Sequence, residues 1–144
     1  SRVALWVGSV LLFLVLGTAV ADAMVETDEE RLGDVADVLV RENAEMRVDG
    51  LLAWSDPDRQ PVYVTEGRTR SRIDDSADLP DALHAALGAF DADQPVEVVQ
   101  RDVSVSSETA TVSLRARAGG ERVDVTITLR REGQGFLISG VRVL

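Results

Sequence analysis

Between Thr109 and Arg130 the chain alternates apolar and polar residues with one interruption. Ala110, Val112, Leu114, Ala116 and Ala118 share one parity, and Thr109, Thr111, Ser113, Arg115 and Arg117 the other. Successive side chains of a strand point to opposite faces, so this pattern demands a sheet with one buried and one solvated face. Gly119-Gly120 supplies a two-residue hairpin connection. Val123, Val125, Ile127 and Leu129 then resume the buried face, opposed by Arg122, Asp124, Thr126, Thr128 and Arg130. A turn over Glu132 to Gly135 leads to Phe136, Ile138, Val141 and Val143, with Gly140 placed to bulge and switch the phase. Upstream, Val96 to Val105 reads as a strand whose Val98-Val99 pair shifts the phase as a bulge would, and Ser106 to Glu108 reads as a turn. The spacing predicts a four-stranded antiparallel meander with an apolar face that needs a cover.

Two amphipathic helices are available as that cover. Thr27-Asp-Glu-Glu30 has the form of a capping box, with acids in the first turn, where the helix dipole favours them. Leu32, Val35, Ala36, Leu39, Asn43 and Met46 follow on one helical stripe, which continues less regularly through Val48, Leu51, Leu52 and Trp54. Asp37 with Arg41 and Arg41 with Glu45 form i,i+4 pairs on the polar side. Pro57 disfavours helical geometry at Asp56, so Ser55 to Asp58 reads as a stop and turn, and its two acids as turn residues rather than a catalytic pair. The second helix opens at Asp78, a good cap, with Pro80 tolerated in the first turn. Leu79, Leu83, Ala86, Leu87 and Phe90 form its buried stripe, and Asp91 to Pro95 ends it.

Between the helices, Val62, Val64 and Ile73 frame a short strand pair with Glu66-Gly67 as its turn. Arg68, Arg70 and Arg72 alternate along the second strand, the pattern of a solvated edge strand whose charges block pairing with other chains. His84 is the only histidine and Tyr63 the only tyrosine. A lone histidine cannot build a histidine metal site, and His84 sits on the flank of its helix.

Ahead of this domain lies Val3 to Ala21, nineteen residues without a charge. As a helix it would be about 28 Å long, close to the thickness of a bilayer core. Arg2 precedes it, and Asp22, Glu26, Asp28, Glu29 and Glu30 follow. The positive-inside rule then places residue 1 in the cytoplasm and the main domain outside, periplasmic or extracellular, with Arg2 and Trp6 at the membrane interface. Residues 1–25 are thus expected to form a single-pass transmembrane anchor and 26–144 one folded domain. Two other readings stay open. Ala19-Val20-Ala21 and Ala21-Asp22-Ala23 fit the cleavage pattern of a signal peptide. An apolar helix leading into an amphipathic helix and a sheet also resembles the pilin plan, although Leu5 stands where that family usually carries a Glu.

Composition removes several function classes. The formal net charge is −10, which argues against a nucleic-acid surface. All 15 basic residues are arginine, and there is no cysteine, hence no disulfide, thiolate metal site or cysteine nucleophile. No phosphate loop, zinc spacing or nucleophile motif is present, and nothing calls for a cofactor.

The order helix, short strands, helix, meander resembles the nuclear-transport-factor-2-like cone fold, also called ketosteroid-isomerase-like or cystatin-like. The residues that carry the resemblance are Val48 to Pro57, the helix Leu79 to Phe90, Thr109 to Leu114 and Gly135 to Val143. It covers about residues 27–144. It implies an α+β domain in which helices pack on a curved antiparallel sheet with a pocket between them; Trp54, Tyr63 and His84 are the pocket candidates. Enzymes of that superfamily place Asp, His or Tyr inside the pocket, while other members are binding or assembly modules. The buried positions of this meander are almost wholly aliphatic and offer no general acid or base. The sequence therefore predicts a membrane-anchored interaction or scaffold subunit without catalysis, with the bilayer and a protein as partners. The alternatives are a small-ligand-binding or enzymatic cone-fold domain and a pilin-like filament subunit.

Overall fold

The alternating run folds as its parity requires. The computed structural model describes residues 28–40, 44–89 and 96–144. Strands β3 (Val96–Val105), β4 (Thr109–Ala118), β5 (Glu121–Glu132) and β6 (Gly135–Val143) pair antiparallel in sequence order. Gly119 and Gly120 both take positive φ, 60° and 85°, which is the two-residue hairpin geometry their side chains' absence permits. Register slips occur between Val98 and Gln100 in β3, and opposite Thr128 and Leu129 of β5, where Ser139 is the extra residue of β6. The first bulge lies where expected, and the second falls on Ser139, one residue before the expected Gly140. The second keeps Phe136 and Ile138 on the same face as Val141 and Val143, and all four are buried.

The hairpin of β1 (Val62–Glu66) and β2 (Thr69–Ile73) joins this meander rather than standing apart. Its β1 strand runs parallel to β6, pairing Val64 with Val141. The result is one open six-stranded sheet in the order β2-β1-β6-β5-β4-β3. It is mixed, which corrects the expectation of an antiparallel sheet: sequence pattern reads each hairpin, but not how the two edges meet. β2 is an edge strand, exposed from Thr69 to Arg72 as its arginines indicated, with Ile73 half-buried against the core.

Three helices cover the apolar face: residues 28–39 (α1), Ala44–Leu52 (α2) and Leu79–Ala86 (α3), the last continued by a 3-10 turn over Leu87–Ala89. The single stripe expected from Leu32 to Trp54 is in fact two helices. A Cβ added at Gly50 would come within 2.8 Å of Val38 Cγ2. On one straight helix those residues would be about 18 Å apart, so α2 folds back on α1, and Gly50 is where they cross. The break also rotates the stripe. Leu32, Val35, Ala36 and Leu39 are buried as expected, but Met46 is 49% exposed and Arg47, Val48 and Leu51 face inward. Asp37 pairs with Arg101 of β3 at 2.7 Å. Arg101 also donates to the Gly33 carbonyl at 2.6 Å, so one guanidinium clamps the sheet edge to α1.

The α3 cap differs from expectation too. Asp78 precedes the helix, but its side chain makes no capping hydrogen bond and its backbone is already helical, at φ −89°. Leu79, Leu83 and Ala86 are buried as the stripe indicated. The Thr27 cap, Arg41, Asn43, Phe90 and the end signal at Asp91 to Pro95 lie outside the described residues, as do Val3 to Ala21, Arg2 and Trp6. Among the described residues no helix is long and apolar enough to cross a membrane.

The Val38–Gly50 crossing yields a stability prediction. Gly50→Ala adds a good helix former, but its methyl meets a stiff β-branched side chain. We expect a net loss of about 1–3 kcal/mol in urea unfolding. Val38→Ala in the same chain should recover most of the added cost, giving a coupling energy above about 0.5 kcal/mol. Strict additivity would contradict the crossing.

Candidate functional site

Among the described residues, buried apolar side chains from helices and sheet meet between the two layers. Val62, Val112, Ile127, Leu129, Ile138 and Val141 from the sheet meet Leu32, Leu39, Leu51, Leu79 and Leu83 from the helices, and each is at most 1% exposed. They form a single cluster. Arg47 is the one charged side chain buried among the described residues, at 2% exposure. Desolvation by burial pushes its guanidinium below its ordinary value, yet arginine stays protonated in proteins and supplies no general base. No buried side-chain nitrogen or oxygen among the described residues lacks a hydrogen-bond partner. The core thus holds no idle polar group waiting for a substrate.

The three pocket candidates do not converge. Trp54 is half-buried against the rim of the core, and its carbonyl accepts a hydrogen bond from the Ile138 amide at 2.8 Å. His84 is exposed on α3. Tyr63 follows the polar parity of β1 and lies on the sheet face turned away from the helices, with the Arg70 guanidinium 4.2 Å from its ring centroid. Asp56 and Asp58 are turn residues: the Asp56 carbonyl accepts from the Arg59 and Gln60 amides, and Asp58 accepts from the Ser76 hydroxyl at 3.1 Å.

The open face carries the more developed concavity. A groove of about 760 Å³ crosses β2, β1, β6 and β5, lined by Tyr63, Thr65, Thr126, Thr128 and Ser139, with Arg70, Arg130 and Arg142 around it. Its hydroxyls come from the solvent parity of the alternating strands, so the pattern that buries the valines also builds this surface. Sequence reading found Tyr63 and Arg70 singly but did not join them to Arg130 and Arg142, because that junction depends on the parallel β1–β6 pairing. A second polar concavity lies beside α1, where Glu29, Glu30, Asp34 and Asp37 surround Arg101. Among the described residues no group of three acids or histidines is arranged to hold a metal.

No protein-family model matches the chain, and no curated protein matches it in sequence. Solved structures do share its fold. A candidate ketosteroid isomerase from Shewanella frigidimarina superposes with a TM-score of 0.61 at 13% identity, covering 78% of this chain and 93% of that one. A nuclear-transport-factor-2-like protein of unknown function from Pseudomonas putida gives 0.58 at 12% identity, covering 83% and 86%. The Kfla4162 protein from Kribbella flavida gives 0.54 at 19% identity, covering 83% and 90%. The described residues therefore have the nuclear-transport-factor-2-like, ketosteroid-isomerase-like fold.

One titration on the open face can be signed. The Arg122 hydrogen bond, supported by Arg115, holds the Asp124 carboxyl below its ordinary value. A carboxyl whose value is depressed on folding contributes stability above its unfolded value and loses it as pH falls through the folded one. Asp124→Asn should therefore lower the urea midpoint at pH 6. The difference from the parent should close as pH drops below about 3.9, the ordinary aspartate value. A difference that persists unchanged into acid would contradict the ion pairing.

Proposed function

We propose that this chain is a membrane-tethered binding domain, held outside the cytoplasm by Val3 to Ala21, which engages a protein partner through the sheet face opposite its helices and performs no catalysis. The observation that carries this reading is the contrast between the two faces. One is closed by aliphatic side chains that can neither give nor take a proton. The other is open and dense in hydroxyls and guanidinium groups, the donors and acceptors that recognition uses. The tether is supported by the uncharged run between Arg2 and the acids that follow it. The fold is neutral on this point, because the same scaffold hosts unrelated activities. A small-ligand reading is favoured by one feature, the groove, which is developed below.

Site-specific photo-crosslinking in cells tests the proposal. Reactive side chains at Thr109 or Arg117, on the sheet face, should give protein adducts in the carbonate-washed membrane pellet. The same groups at Arg31 or His84, on the helical side, should not. Adducts confined to the helical positions, or a protein recovered in the soluble fraction without residues 1–21, would contradict it.

A further inference from the structure

The open face is not uniform. Paired residues run across it in rows. One row reads Arg70, Thr65, Arg142, Thr126, and its neighbour reads Tyr63, Gly140, Thr128. In the second row Gly140 leaves a gap between a phenol ring and a threonine. A Cβ built at Gly140 would find only ordinary contacts, 3.7 Å to the Tyr63 carbonyl oxygen and 3.8 Å to Thr128 Cβ. The gap is therefore real space and not a point of backbone crowding. The bulge beside it sets Ser139, whose hydroxyl donates to the Thr128 carbonyl at 3.3 Å, on the groove wall. The floor is thus polar and has room.

Three arginines stand around this floor, against one acid, Glu108. Arg59, Arg72, Arg101, Arg115, Arg122 and Arg131 all have ion-pair partners. Arg130 and Arg142 have none among the described residues, and Arg70 rests on the Tyr63 ring. Arg31, Arg68 and Arg117 also lack an ion pair among the described residues, but Arg70, Arg130 and Arg142 are the three that stand around one concavity, on a chain whose net charge is −10. Planar guanidinium groups suit carboxylate and phosphate oxygens. Arg70 and Arg142 lie two strands apart, about 10 Å at the backbone, and Arg130 lies four residues along β5 from the partner of Arg142, about 13 Å away. That spread suits separated oxyanion groups better than one simple ion. The groove volume, about 760 Å³, falls within the range of small-molecule sites, about 300–1,000 Å³.

We infer that this groove binds a small organic molecule carrying two or three carboxylate or phosphate groups, with Arg70, Arg130 and Arg142 holding the oxyanions over the Gly140 floor. This goes beyond the partner-binding reading, since a protein can engage the rest of the sheet face with the groove empty. The negative net charge sharpens the test. A chain that repels anions at long range has no background affinity for them, so measured affinity reports a local site.

Isothermal titration of the full chain in detergent micelles, with citrate and pyrophosphate as probes and sodium chloride at matched ionic strength as blank, decides the matter. Saturable one-site binding of at least one probe is expected. Stronger citrate binding assigns carboxylate groups to the ligand, and stronger pyrophosphate binding assigns phosphate groups. Arg130→Gln and Arg142→Gln should each weaken binding about tenfold or more. Gly140→Leu should block it while the melting temperature and far-ultraviolet circular dichroism are retained. Arg117→Gln, on the same face but outside the groove, should leave it unchanged. Absence of saturable heat with both probes would overturn the inference. So would equal losses from Arg117→Gln and Arg142→Gln, because binding would then follow overall charge and not the groove. The crosslinking pattern at Arg117 and His84 does not depend on either outcome, so the two proposals fail separately.

Discussion

A sheet whose apolar residues all lie on one side must bury that side and leave the other to water. Every other feature of this domain follows from that constraint. Ala110 to Ala118 and Val123 to Leu129 set the parity, and two bulges preserve it where the chain would otherwise drift: at Val98 to Gln100 and at Ser139. Without the second, Phe136 and Ile138 would point away from Val141 and Val143, because a one-residue slip exchanges the faces of a strand. Helix α1 is then pinned to the sheet at two points. Arg101 reaches from the β3 edge to Gly33 and Asp37 of α1. Arg131 lies 4.6 Å from the Phe136 ring centroid, donates to the Ser107 carbonyl at 2.8 Å and meets Asp28 at 3.5 Å.

The same constraint separates the chemistry of the two faces. In the helix-covered space, the described side chains that meet are almost all apolar and packed together. Arg47 is the exception to apolar burial, and its permanent charge makes it a structural residue. The opposite face inherits threonines, serines and arginines from the other parity. These are groups that recognise, and they are grouped by strand pairing and not by sequence. Thr126 of β5 faces Arg142 across the antiparallel β5–β6 pair, and Thr65 of β1 joins them only because β1 docks parallel on β6.

Much of this architecture was legible in the residue pattern. The meander, its glycine hairpin, both bulges, the edge strand of arginines and the α3 stripe follow from periodicity and turn chemistry, which are local. The likeness to nuclear-transport-factor-2-like structures bears out the resemblance drawn from Val48 to Pro57 and the C-terminal strands. What escaped was non-local. The reversal between α1 and α2 carries no proline signal and shows only in the meeting of Gly50 with Val38. It turns Met46 outward and Arg47 inward, against hydropathy. The parallel β1–β6 contact is likewise invisible to a single strand's pattern. Of the three pocket candidates, Tyr63 lines a concavity on the face opposite the one the fold resemblance implied.

The helix-covered side of this domain is packed with buried apolar side chains, and the polar side is open. Methyl resonances in the presence of a soluble gadolinium chelate test it most directly. Strong relaxation enhancement is expected at the Thr65, Thr126 and Thr128 methyls and none at Ile127, Leu129 and Ile138. Equal enhancement at both sets would mean a solvent-filled pocket beneath the helices, and would return the search for function to the interior.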